Sequence, residues 1–294
     1  MTAKTRPARV TRAVALLLAL LMTTLLTAAH ALLQADALLH DRALHASVAA
    51  DERVTALQRE RIDARIDELA AVYGFAPKTL RDVITTDALH AYNLEVVDWW
   101  TGLLGDDAEP EAPTWPTAEL TKAVRSDEGF QATVPSDMRT TVARDDIAYG
   151  IASTVERIVL PVRTSLTNVG LPMVYERVDV ARLAGLLPMA GWLLLVVSAA
   201  LMLIMLLLLH RRPTLALEYT GAALIAAALV TALLMAIVAL ADVPGQAGAV
   251  SAVLGLQLQL LGEKLAWRLI GMLAAAVVAG ALLMLPARLR RKSA

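Results

Sequence analysis

An all-α membrane protein, with four transmembrane helices and a helical extracytoplasmic domain, is the fold class that three observations predict. The first is a hydrophobic content of 57% over 294 residues, above the roughly 45–50% of soluble domains. The second is that this excess is gathered into four continuous runs, at 13–33, 187–209, 215–241 and 265–285. Each is close to the ~20 residues a helix needs to cross ~30 Å of hydrocarbon. The third is a polar stretch, 34–182, whose apolar residues recur with helical spacing. A formal charge of −1, from 27 basic and 28 acidic side chains, and a mean hydropathy of +0.57 argue against a soluble enzyme, a disordered tail or a nucleic-acid binder. With no cysteine, disulfides, thiolate metal sites and thiol nucleophiles are excluded.

The elements follow in chain order. Residues 1–12 form a basic tail with Lys4, Arg6, Arg9 and Arg12. The run at 13–33 reads as an uncleaved first span; a basic start and Ala29-His30-Ala31 also fit a signal peptide, but 21 apolar residues are long for one. No proline or glycine interrupts Leu32 to Val48, so this helix is expected to continue unbroken into the next domain. Pro188 opens the second span, where a missing N–H costs nothing. Arg211 and Arg212 lie in the tight connection to the third span, 242–264 is a loop, and Arg288, Arg290, Arg291 and Lys292 follow the fourth span in a tail at 286–294. The runs are continuous and do not alternate, so they are helices and not barrel strands.

With four crossings all these basic flanks fall on one side. The positive-inside tendency then puts both termini in the cytoplasm of a bacterial cell. Residues 34–182, with 15 basic and 25 acidic side chains, lie outside. Trp192 and Trp267 fall where an interfacial aromatic belt is expected.

Within 34–182, Ile62, Ile66, Leu69 and Tyr73 form one helical stripe. Gly74 supplies a left-handed stop and Pro77 opens the next helix. Leu80, Val83 and Ile84 give that helix an apolar face; Leu89, Val96, Val97 and Trp100 mark another. The acidic, proline-rich 106–116 reads as an exposed linker. The second half restarts at Thr117, stops at Gly129, and restarts after Pro135 with Ser136 as N-cap. A long helix over 137–168, bent at Pro161 and ended by Gly170 and Pro172, completes the domain; no sheet is expected.

The stretch Pro77-Lys78-Thr79-Leu80-Arg81-Asp82-Val83-Ile84-Thr85, followed by Asn93 and Val97-Asp98-Trp99-Trp100, is similar to a segment of a set of uncharacterised bacterial four-span membrane proteins. The layout also resembles theirs: one span, about 150 helical residues outside, then three clustered spans. The resemblance implies a fold and carries no activity.

Candidate chemistry is sparse. Asp36 and His40, and Asp41 and His45, are spaced i,i+4, but His40 and His45 diverge around a helix, so solvated acid–histidine pairs outweigh a metal site. His30 and His210 lie at span ends and read as interfacial. Glu218 is the only carboxylate within a span and the one intramembrane acid with a functional claim; an interfacial ion pair with Arg211 or Arg212 is its plainer role. Gly271, Ala275 and Ala279, and Ala276 and Gly280, have small-xxx-small spacing. That spacing suits packing within the chain first and a homo-oligomer second. Glu128, Asp145 and Asp146 could form a carboxylate pair, against a simple acidic surface. Adjacent Trp99 and Trp100 cannot share one helix face, which makes them a candidate partner surface.

No catalytic constellation, metal site or cofactor motif is legible, and the short cytoplasmic segments leave no room for an ATPase or DNA-binding module. The expectation is a non-enzymatic envelope interaction, assembly or sensing component in the bacterial inner membrane. It contacts the lipid bilayer and a protein partner through the outside domain; a small transporter or channel component is the alternative.

Overall fold

The structure is a computed structural model describing residues 6–103, 113–134, 140–159 and 180–292. Among these residues every regular element is an α-helix and no strand occurs. The helices are α1 (Arg6–His40), α2 (Arg42–Ala49), α3 (Glu52–Tyr73), α4 (Pro77–Arg81), α5 (Thr86–Leu103), α6 (Thr117–Ser126), α7 (Glu128–Thr133), α8 (Thr140–Val159), α9 (Val180–Leu208), α10 (Pro213–Leu240), α11 (Val243–Val250) and α12 (Ala252–Lys292). The chain forms two compact units. One holds residues 1–40, 182–242 and 262–294, the other 41–181 and 243–261.

The first unit holds most of the membrane-spanning stretches, the last two of which include parts of 243–261 from the second unit. Four stretches are long and apolar enough to span: Thr11–His40, Ala184–Leu208, Pro213–Ala249 and Ala252–Leu289. Large apolar side chains on each, such as Leu17, Leu207, Leu233 and Leu282, stand open to the surroundings. Water would not tolerate so much exposed apolar surface, whereas lipid does. Small residues carry the packing. Ala15 and Ala216 meet Met205 and Leu209; farther along, Met22 and Leu26 meet Ala223 and Ala227. These pairs rise together along α1 and α10, which are therefore parallel, while α9 runs the opposite way. Gly221 of α10 meets Gly280 and Met284 of α12, and Gly280 meets Ile225, an antiparallel register. Consequently the start of α1, the α9–α10 turn with Arg211 and Arg212, and the end of α12 with Arg288 gather at one end of the bundle.

The second unit is a layered helical domain. Ile62, Ile66 and Leu69 of α3 line its core beside Leu80, Ile84, Leu89, Leu120, Val124, Phe130 and the α8 residues Ala148, Ile151, Ala152 and Val155. Gly74 ends α3 at φ 77° in the left-handed region, and Pro77 occupies the first turn of α4, as the sequence punctuation predicts.

Several expectations are corrected. The first span does not run unbroken to Val48: α1 ends at His40, and the Asp41 carboxylate caps α2 by accepting from the Leu44 N–H at 2.9 Å. The break between α6 and α7 falls at Asp127, and Gly129 lies inside α7. Aspartate wins because its side chain satisfies orphan N–H groups of the new helix. The proline-rich 106–116 is not wholly an exposed linker. Pro113 and Trp115 are buried, and Trp115 packs edge-on to Tyr92 with ring centroids 4.8 Å apart. The segment 242–264 is helical: Asp242 at φ 44° closes the turn after α10, Pro244 sits in the first turn of α11, and α12 begins at Ala252. The expected cap at Ser136 and the punctuation at Pro161, Gly170 and Pro172 lie outside the described residues.

Candidate functional site

The two tryptophans proposed as a surface sit at the end of α5. That helix buries Leu89, Tyr92, Asn93 and Val97 along one line. Trp100, seven residues beyond Asn93, continues this line, yet it is only half-buried. Trp99 lies ~100° around the helix and is also half-buried. The apolar line of α5 thus runs past the core anchored by Trp115.

Polar side chains fix α5 against its neighbours. Gln58 of α3 and Asn93 of α5 are buried and exchange two hydrogen bonds: the Gln58 amide donates at 3.0 Å and the Asn93 amide at 2.8 Å. Such a reciprocal pair satisfies both groups, whereas a single buried amide would carry its full desolvation cost. Near the surface, the Arg42 guanidinium donates to Asp98 at 2.5 Å and holds its carboxyl below the usual carboxylate range, against the opposing effect of burial. Two arginines brace α3 and α4. Arg81 donates to Asp63 at 3.1 Å and to Asp67 at 2.7 Å, while Arg59 donates to Asp63 and to the Ile84 carbonyl.

Asp127 is the hub between the halves of this unit. Its carboxylate accepts from the Thr79 hydroxyl at 2.6 Å, the Ala76 N–H at 3.1 Å, the Gly129 N–H at 2.9 Å and the Phe130 N–H at 3.1 Å. Burial alone would push this carboxyl up. The Thr79 hydroxyl and the three backbone donors outweigh it and hold the group below the ordinary aspartate range. The stability Asp127 contributes is therefore full above the unfolded carboxyl value of about 3.9 and is lost as pH falls through the lower folded value. Asp127→Ala should cost about 1–2 kcal/mol near neutral pH, as for loss of a helix cap. Urea midpoints at pH 6 and pH 3 should converge between wild type and Asp127→Asn as acid is approached; a constant gap would remove the carboxylate from the acid response.

The remaining candidates separate. Asp36 and His40 pair at 2.8 Å; Asp41 is engaged as the cap of α2. His30 hydrogen-bonds the Leu26 carbonyl at 2.7 Å and His210 the Leu207 carbonyl at 3.1 Å, each within its own helix. Among the described residues no three His, Asp or Glu side chains gather as a metal ion would require. Asp145 is paired with Arg125 of α6 at 3.3 Å. Glu218 is half-buried on the sixth residue of α10.

Of the small-residue spacings, Gly280 is used within the chain, against Gly221, whereas Gly271, Ala275 and Ala279 lie on an open side of α12. Arg268 is a charge that span reading passes over. It is the fourth residue of the 265–285 run and exposed beside Trp267, and a residue-by-residue scan for charge would have found it.

Comparison with family models, with curated proteins and with solved structures gives no match. Function therefore rests on this chain's own geometry.

Proposed function

We propose that the protein is a non-enzymatic cell-envelope component of a bacterial cytoplasmic membrane, acting in interaction, assembly or sensing through its helical domain. In this reading both termini are cytoplasmic, the domain faces outward, and the membrane helices hold and orient it. The observation that carries it is the line of α5, which continues from a closed core to the half-buried Trp100, with the half-buried Trp99 beside it around the helix. Tryptophan is enriched where proteins bury surface against partners. The topology is supported by the gathering of basic helix ends at one end of the bundle. It is also supported by the clustering of 243–261 with 41–181, two connections that an even-numbered topology puts on the same side.

The test has two arms. Single cysteines at Ser126 and Ser251 should react with an impermeant thiol reagent in intact cells, and one at Ser293 should not; labelling only at Ser293 reverses the topology. In the native membrane, Trp99→Ala or Trp100→Ala should lower crosslinking of the domain to its partner without lowering the amount of protein in the membrane. Equal crosslinking in both variants eliminates the tryptophan surface.

A transporter or channel component is the second reading, favoured by a half-buried Glu218 within α10 and by Arg268 within the fourth span. Solute flux in proteoliposomes that Glu218→Gln abolishes would select it.

A further inference from the structure

We infer that the groove between α10 and α12 binds one anionic phospholipid, with an acyl chain along the groove and the phosphate on Arg288. The inference rests on these helices lying in a bilayer and not on the role proposed for the helical domain.

The groove is a consequence of the glycine crossing. Gly221 and Gly280 bring the two backbones together so closely that a methyl on either would strike the other's carbonyl oxygen. Beside this pinch the larger side chains cannot close the gap, and a cavity of 290 Å³ remains. Its walls are Ile225, Val278, Ala281, Leu282 and Leu285, and its one charged member is Arg288. That volume lies just below that of most ligand sites, which run about 300–1,000 Å³, and suits a single slender apolar chain.

Length and charge select the occupant. From Val278 to Arg288 the helix rises ~15 Å at about 1.5 Å per residue, half of the ~30 Å hydrocarbon thickness. The groove therefore covers one leaflet, with an apolar end near the bilayer midplane and a cationic end at the surface. Arg288 makes no ion pair among the described residues. It lies at the end of the bundle that also carries the exposed Arg211 and Arg212 and the half-buried Glu218, where three arginines outnumber one carboxylate and the net field favours an anion. A guanidinium matches a phosphate in shape as well as charge. A zwitterionic lipid offers the same chain, but its headgroup cation is repelled by these arginines. Basic sites between membrane helices are a recurrent means of holding anionic headgroups.

The test uses the full chain in detergent, supplied with equal amounts of phosphatidylglycerol and phosphatidylcholine of the same acyl chains, and read by native mass spectrometry. One phosphatidylglycerol should be retained with about fivefold preference. Arg288→Gln should abolish the preference and Arg288→Lys should keep most of it. Ala281→Trp, which fills the groove and leaves the charge in place, should lower retention of both lipids. Equal retention of the two lipids by the wild type overturns the proposal, as does an unchanged preference in Arg288→Gln. Undiminished retention in Ala281→Trp overturns the groove as the site, because the lipid would then be held by surface charge alone.

Discussion

Gly74→Ala should lower the stability of the helical domain by about 3 kcal/mol, read as a fall in the urea midpoint of the full chain in detergent. Two separate costs add. At φ 77° any side chain occupies the left-handed region, which costs about 1–2 kcal/mol. The new methyl would also overlap the Thr133 side chain and approach the Gly129 carbonyl oxygen at 3.1 Å, and overpacking of this kind costs about 1–3 kcal/mol. The double variant Gly74→Ala/Thr133→Ala separates the two, since it removes the side-chain obstacle and keeps the backbone strain. It should recover part of the loss. A Gly74→Ala midpoint equal to wild type would show that the end of α3 and the start of α7 do not meet as described.

Gly280→Leu is expected to be as costly in the membrane unit. The added side chain has no room, because the Gly221 carbonyl oxygen lies 2.7 Å and Ile225 2.8 Å from where its first carbon would sit. Membrane helices associate through close packing with little hydrophobic force between them. Separating α10 and α12 should therefore cost about 3 kcal/mol or more, at the upper end for overpacking. Titration of a harsh detergent into mild micelles, followed by tryptophan fluorescence, reads this as an earlier midpoint. Gly271→Leu is the matched control: nothing lies within 4 Å of its added carbon, so the midpoint should not move. A loss at Gly271 and none at Gly280 would transfer the packing role to the open stripe and point to a homo-oligomer.

Most of the architecture was legible because its signals are local. Continuous apolar runs identify membrane helices without reference to anything they touch. The Gly74-to-Pro77 punctuation marks a helix end through backbone conformation alone. The α3 stripe is legible because Ile62, Ile66 and Leu69 are neighbours on one helix.

What was not legible depends on partners distant in sequence. Trp115 sits among prolines and acids, so its surroundings read as solvated; its contact with Tyr92 of α5 and its burial in the core reveal it as a core residue. The Gln58–Asn93 pair joins residues 35 apart, and neither has a distinctive neighbourhood. Gly129 looked like a helix stop because glycine commonly is one. Its actual role is to let its backbone approach Gly74, while Asp127 ends one helix and caps the next. At the candidate surface the tryptophan pair was visible in the sequence. The way Trp100 prolongs a buried line required the burial of its neighbours. The Gly221–Gly280 crossing was half visible: Gly280 belonged to a small-residue spacing, but the partner helix and the groove beside it did not follow from that spacing.

The second unit is assembled from 41–181 and 243–261, and this division imposes an order on biogenesis. When residue 181 leaves the ribosome, the domain still lacks its final segment, and two membrane helices must be made before that segment exists. About 80 further residues, at about 5–20 per second, leave the unit incomplete for some 4–16 s of synthesis. The segment 243–261 therefore joins the unit only after α9 and α10 have been made. The core at 62–155 is complete in sequence throughout that interval, so the helical domain can close around it first and receive 243–261 afterwards.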